Sequence, residues 1–167
     1  TINPLGHTNR AILDAALQLL WHTNANSEVT KFARNPAGQI INLVDGKNQL
    51  TVWNFDRFGR LTNKVDALSR VLFRLTYDAL DRVTNRWTPA KGNVGSSFDP
   101  VGNLRSVTHS NATPYTISYV YDPANRLTNM IDVVGTTRFT YTASGRLDTE
   151  DGPWTSDNVS RSYIEGQ

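Results

Sequence analysis

Cysteine is absent from the 167 residues, which excludes a disulfide framework and thiolate metal sites. The absence names no compartment. Glu and Lys, both helix formers, are scarce at three and four residues, while Thr and Asn number 19 and 16. That balance disfavours helices and favours strands and turns. Apolar residues never run to 18 in a row and no charged leader precedes a hydrophobic stretch, so neither a membrane span nor a signal peptide is expected. The hydrophobic fraction of 38% is thin for a compact core. The formal charge of +2 looks mildly basic. Since 13 of the 17 cations are Arg, the question is where those arginines sit.

What is present is a repeat. Phe55-Asp56-Arg57-Phe58-Gly59-Arg60-Leu61 recurs as Tyr77 to Val83, Phe98 to Leu104, Tyr121 to Leu127 and Tyr141 to Leu147. Weaker copies are Arg34 to Ile40 and Leu13 to Leu19. The Asp position falls at 14, 35, 56, 78, 99, 122 and 142, giving steps of 21, 21, 22, 21, 23 and 20 residues.

The template has the chemistry of a tight hairpin loop. A type I turn favours Asp or Asn first, Pro second and Gly fourth, and a left-handed residue after the turn forms the bulge that joins twisted strands. Pro36, Pro100 and Pro123 stand second; Gly38, Gly59, Gly102 and Gly145 stand fourth. Asp81 and Asn125 replace Gly with residues that tolerate positive φ, whereas Leu17 weakens the first copy. A second, looser turn signal precedes each Asp by about 10 to 12 residues. It includes Asn3 to Gly6, Asn24 to Asn26, Asp45 to Asn48, Asp66 to Ser69, Pro89 to Asn93, Ser110 to Pro114 and Asp132 to Gly135.

Between turns, residues alternate with period 2, and aromatic or bulky residues stand two apart before the main turns, as in Trp53 and Phe55 or Tyr119 and Tyr121. Both patterns mean strands. Residues 9–21 also fit a helical stripe, but the 21-residue register runs through Asp14 and favours two strands. A longer loop is expected at 151–158, with Val159 to Ile164 as the last strand. The fold class is therefore all-β, a single array over 1–167 of about 14 short strands in antiparallel hairpins. Open sheets rarely exceed about 10 strands without curling or splitting, and no separate segment remains to cover the aromatic face. The sheet must curl on itself, pack on another copy, or form one stretch of a larger wall.

The residues carrying this pattern resemble the YD repeat of the Rhs family, whose signature is Tyr-Asp, two variable residues, Gly-Arg-Leu and often Thr. Phe55 to Thr62, Tyr77 to Thr84 and Tyr121 to Thr128 match it best. The family includes bacterial polymorphic toxins, the shell component of Tc toxin complexes and animal teneurins. The resemblance implies a curved or spiralling β-shell that, in secreted or surface bacterial members, encloses a C-terminal toxin. The chain has too few repeats to close a shell, and carries neither the family's C-terminal core with its self-cleaving aspartates nor an appended toxin. It reads as a fragment of a larger wall or a short relative of different shape. Its implied partners are the remainder of a longer Rhs-type chain, a second copy, or an enclosed toxin polypeptide.

Candidate sites are weighed on the same residues. Asp56/Arg60, Asp78/Arg82 and Asp122/Arg126 could form a catalytic or ligand-binding ladder; the plainer reading makes them structural turn residues with Gly59, Asp99, Gly102, Gly145 and Arg146. Asp then caps the turn and Arg opens the outgoing strand beside neighbouring carboxylates. Arg60, Arg82, Arg126, Arg146 and Arg10 belong to turn edges rather than one patch, so nucleic-acid binding is not expected. Trp53 reads as wall packing, while Trp87 and Trp154 lie beside long loops and are candidate glycan contacts of an alternative adhesion module. His7, His22 and His109 share no metal-ligand spacing. Without a thiol nucleophile, a phosphate loop or a nucleophile elbow, neither catalysis nor a cofactor is expected.

Overall fold

The structure, a computed structural model, describes residues 9–163. The turn expected at Asn3 to Gly6, together with His7 and Ile164, lies outside the described residues. The chain divides into two compact units, Thr1–Asp81 and Arg82–Gln167. Among the described residues the regular structure is entirely β-strand, with no helix.

The first unit holds β1 (Arg10–Leu13), β2 (Leu19–Thr23), β3 (Val29–Arg34), β4 (Ile40–Val44), β5 (Leu50–Phe55), β6 (Leu61–Val65) and β7 (Val71–Tyr77). Each pairs antiparallel with the next. The second unit holds β8 (Val83–Thr88), β9 (Gly92–Phe98), β10 (Leu104–Ser110), β11 (Tyr115–Tyr121), β12 (Leu127–Ile131), β13 (Thr136–Tyr141), β14 (Leu147–Asp151) and β15 (Val159–Ser160). These also pair in chain order. Residues 9–21 are strand, turn and strand: Leu17 N–H donates to the Asp14 carbonyl at 3.0 Å, closing a hairpin where a helix would need continuous i to i−4 bonds.

Register follows from turn chemistry. A left-handed residue at the end of each main turn inserts one extra residue, and the ladder shifts there, at Asn54/Phe55, Val120/Tyr121 and Thr140/Tyr141 among others. Such a bulge adds local twist and fixes which side chains share a face.

Alternation divides each sheet into unlike faces. In the first unit Phe32 stands opposite Leu43, and Trp53 opposite Lys64, which stands opposite Phe73. Phe55, Leu75 and Tyr77 follow on that face by period 2. In the second unit Val107 faces Ile117, Tyr119 faces Met130, and the His109 and Tyr115 rings stack at 4.4 Å. The reverse face of the second unit is rich in hydroxyls and amides that bond across strands: Asn85 to Asn93 at 2.9 Å, Ser97 with Ser106 at 2.6 Å, Thr108 with Thr116 at 3.0 Å and Thr140 with Thr149 at 2.7 Å. Each such pair contributes roughly 0.2–1 kcal/mol.

No described residue is buried, hydrophobic or polar. Stability in these sheets therefore comes from ladder bonds, cross-strand pairs and the turns rather than from an enclosed core.

The last strand differs from its expectation. Among the described residues its strand pairing is confined to Val159 and Ser160. Beyond it, Arg161 N–H still donates to the Asp148 carbonyl at 2.8 Å.

Candidate functional site

The residues that repeat every 21 positions meet at the turns. In the third turn, Asp56 Oδ1 accepts the backbone N–H of Phe58 at 2.9 Å and of Arg60 at 3.0 Å. Gly59 N–H closes the turn onto the Asp56 carbonyl at 3.0 Å, and Gly59 adopts φ +81°. That left-handed conformation carries no steric penalty for glycine. The first, second, fifth and sixth turns have the same pair of Oδ1 bonds, from Asp14, Asn35, Asp99 and Asp122. In the fourth, Asp78 Oδ1 accepts Leu80 N–H at 2.9 Å. In the seventh, Thr142 Oγ1 takes the place of a carboxylate and accepts Arg146 N–H at 3.1 Å.

The fourth position of these turns is left-handed throughout. Asp81, Asn125 and Leu17 hold φ of 61°, 60° and 61°. Leu17 thus adopts the conformation its side chain disfavours, because the flanking ladder and the Asp14 bonds impose it.

The opposite row of turns in the first unit was expected to be looser, and it is not. Asn24, Asp45 and Asp66 each cap the same five-residue loop, with Ser27, Asn48 and Ser69 at φ near +60°. The absence of glycine at that fourth position hid the match, although the caps themselves recur every 21 residues. In the second unit this row diverges, as at Asp132, whose N–H bonds the Gly135 carbonyl across a tighter loop.

The fifth position of each main turn reaches forward to the next main turn. Arg60 grips Asp56 Oδ2 through Nε at 2.8 Å and Nη2 at 2.7 Å. Its Nη1 donates to the Asp78 carbonyl at 3.0 Å and to Asp81 Oδ1 at 2.8 Å. The guanidinium carbon lies 4.7 Å from the centroid of the Tyr77 ring. Tyr77 Oη donates in turn to the Leu61 carbonyl at 2.7 Å. In the second unit, Arg126 pairs with Asp122 at 2.7 Å, lies 4.5 Å from the Tyr141 centroid, and Tyr141 Oη donates to the Leu127 carbonyl. Arg82 lies over Phe98 at 4.3 Å, and Arg146 over Tyr163 at 5.1 Å.

Every letter of the repeat thus has a job. The aromatic residue is a platform and, where it is tyrosine, a donor; the aspartate caps the turn and holds the arginine, the glycine takes the left-handed corner, and the arginine covers the next platform. A side chain on the glycine would also approach this rung: a Cβ at Gly145 would lie 3.8 Å from Arg126 Nη1. Weaker repeats use substitutes. Gln39 Nε2 donates to the Gly59 carbonyl at 2.7 Å. Arg34, standing where others have an aromatic residue, sends Nη2 to the Leu19 carbonyl at 3.5 Å.

The electrostatics follow the geometry. Burial pushes the Asp56 carboxyl upward, but backbone amides and the Arg60 guanidinium more than offset it and hold it below the ordinary range. Asp99 follows the same balance, with Asn103 as its main partner. Asp66 is held low chiefly by Arg70, and Asp122 by the Arg126 backbone amide and then its guanidinium. Asp56 raises the Arg60 pKa in return.

The tryptophans are not brought together. Trp87 is a half-buried residue of β8 on the face of Asn85, opposite Asn93. Trp154 is 66% exposed on the 152–158 loop, where its N–H bonds Asp157 Oδ2 at 3.0 Å. Six strand spacings separate β8 from β14 in the sheet order. Trp53 lies beneath Lys64 Nζ at 5.0 Å. Among the described residues no group of three or more His, Cys, Asp or Glu side chains could hold a metal ion.

Comparison with known proteins places this geometry. No curated protein matches the chain. Among solved structures, it is similar to the crystal structure of TcdB2-TccC3-TEV, with 20% identity and a TM-score of 0.61 over 84% of this chain and 9% of that one. It is similar also to the Photorhabdus luminescens Tc holotoxin pore, with 17% identity and a TM-score of 0.59 over 89% of this chain and 11% of that one. TcdB2-TccC3 without its hypervariable C-terminal region gives 17% identity and a TM-score of 0.55, over 84% and 10%. The chain therefore spans about a tenth of the length of these structures, and the likeness is one of fold. The RHS Repeat family model matches residues 55–94, 98–137 and 121–152. These matches contain the Arg60, Arg82 and Arg126 rungs and cover more than half of the sequence, so the chain belongs to the RHS repeat family.

Proposed function

We propose that residues 1–167 act as one repeat array, a non-catalytic wall segment of a larger Rhs-type shell in a secreted or surface bacterial protein that encloses a C-terminal toxin polypeptide. The observation that carries this reading is the rung: each turn is built to receive the next one, so the element propagates by addition and needs no separate core. A sheet with one aromatic face and no buried residue among those described suits a wall whose inner side meets other polypeptide. The Tc holotoxin named for one of the similar structures supports the toxin context.

Glycan arrays and dye binding on the isolated chain test the reading. As a wall segment, the chain self-associates or binds an apolar dye through its aromatic face, and its glycan signal stays at background with or without Trp87→Ala and Trp154→Ala. A dye-silent monomer that binds a defined glycan, and loses it in those variants, overturns the proposal in favour of adhesion.

A further inference from the structure

The fifth turn breaks the pattern of its neighbours. Where the third, fourth, sixth and seventh turns have arginine at the fifth position, this turn has Asn103. Its Nδ2 donates to Asp99 Oδ2 at 3.0 Å and to Asn125 Oδ1 at 2.9 Å. Those acceptors are the counterparts of the Asp56 and Asp81 oxygens that Arg60 uses. Asn103 therefore bridges the two turns but has no flat cation to lay over the next ring. That ring, Tyr121, keeps its platform geometry, with Oη donating to the Leu104 carbonyl at 2.9 Å. Among the described residues no cation covers it.

The shortened side chain leaves a groove of about 660 Å³, lined by Asp99, Asn103, Arg105, Tyr119, Tyr121 and Asn125 among others. A comparable groove of about 520 Å³ sits at Gln18, one of two glutamines that hold the fifth position in the weaker repeats, the other being Gln39. There Arg34 stands in the platform position, so the Gln18 groove offers no tyrosine platform, and the ring in its lining is Phe32, two residues before it. The fifth-turn groove combines a tyrosine face, an ionised carboxylate and an adjacent amide oxygen in the arrangement that elsewhere among the described residues holds arginine.

We propose that this groove receives the guanidinium group of an arginine side chain from another polypeptide segment. The guest lies flat on Tyr121, as Arg60 does on Tyr77, and shares Asp99 Oδ2 with Asn103. Arg105 lines the Tyr119 side and opposes any added positive charge. Net charge is therefore a weak determinant, and planar stacking with directed N–H donors is the strong one. That favours arginine over lysine, whose ammonium is a compact, strongly hydrated charge. The inference does not depend on the parent being a toxin shell.

The test is a titration of the full chain, tyrosine-labelled for NMR, with N-acetyl-arginine amide and with N-acetyl-lysine amide. A saturable shift of the Tyr121 ring with the arginine probe, at least about tenfold weaker with lysine, is expected. Asn103→Arg supplies the guanidinium internally, in a geometry four other turns already accommodate, and abolishes the response. Tyr121→Leu, followed at the ring of Tyr119 that lines the same groove, abolishes the response through loss of the platform. Absence of a saturable shift, equal response to both probes, or undiminished binding by Asn103→Arg overturns the proposal.

Discussion

The Arg60 guanidinium lies over the Tyr77 ring, and the Tyr77 hydroxyl donates to the carbonyl of Leu61, the residue that follows that arginine. The two residues close a small circuit between successive main turns. One side chain reaches forward across the hairpin and the other reaches back, so these two bonds tie together segments only 16 to 18 residues apart. Coupling of this kind is between nearest neighbours, and the stability of such arrays is approximately a sum of unit and interface terms.

Removing the two halves of this circuit has separable effects. Tyr77→Phe keeps the platform under Arg60 and deletes one hydroxyl bond, costing about 1 kcal/mol. Arg60→Lys keeps the charge but loses the paired contact to Asp56 and the flat stack, and costs more than Tyr77→Phe. Denaturant unfolding with hydrogen exchange resolved at β6 and β7 checks both. Equal protection in Arg60→Lys and the parent chain contradicts the rung.

Leu17 and Gly59 occupy the same corner of their turns, at φ 61° and 81°. Leu17 is 78% exposed, so Leu17→Gly loses little packing, relieves the left-handed strain and stabilises by about 1 kcal/mol. Gly59→Ala introduces the strain and destabilises by a similar amount of about 1 kcal/mol. Its new Cβ meets Gln39 at an ordinary 3.6 Å, so the backbone term stands alone. Unfolding midpoints moving in opposite directions confirm the assignment.

Acid should weaken the turns before the strands. Asp56, Asp66, Asp99 and Asp122 are all held below their ordinary pKa in the folded chain. The unfolded chain therefore binds more protons in the acid range, so this contribution is complete above the unfolded pKa of about 3.9 and is lost as pH falls through the folded values. Midpoints measured from pH 7 down to about pH 2 should fall in that window. Asp56→Asn and Asp122→Asn should flatten the dependence, and an unchanged slope in the double variant would contradict it.

The repeat was legible because its information is local. Asp56, Gly59 and Arg60 lie within five residues, and an aspartate that caps its own turn does so whatever packs nearby. The alternation of Phe73, Leu75 and Tyr77 is likewise a property of one strand. The second row of turns was legible only in part: Asn24, Asp45 and Asp66 have the right cap and spacing, but Ser27, Asn48 and Ser69 replace the glycine that marks a left-handed corner.

Period, turn chemistry and strand identity are thus written in the chain, since each depends on backbone preferences within a few positions. The tertiary structure decided which residues meet across 15 to 22 positions: that Arg60 covers Tyr77, that Arg34 can stand in for a tyrosine, and that Asn103 leaves Tyr121 uncovered. Those contacts depend on bulge-shifted register and on side-chain reach between neighbouring turns. A one-residue slip would turn the same side chains to the opposite face, and no single segment of the sequence contains both partners.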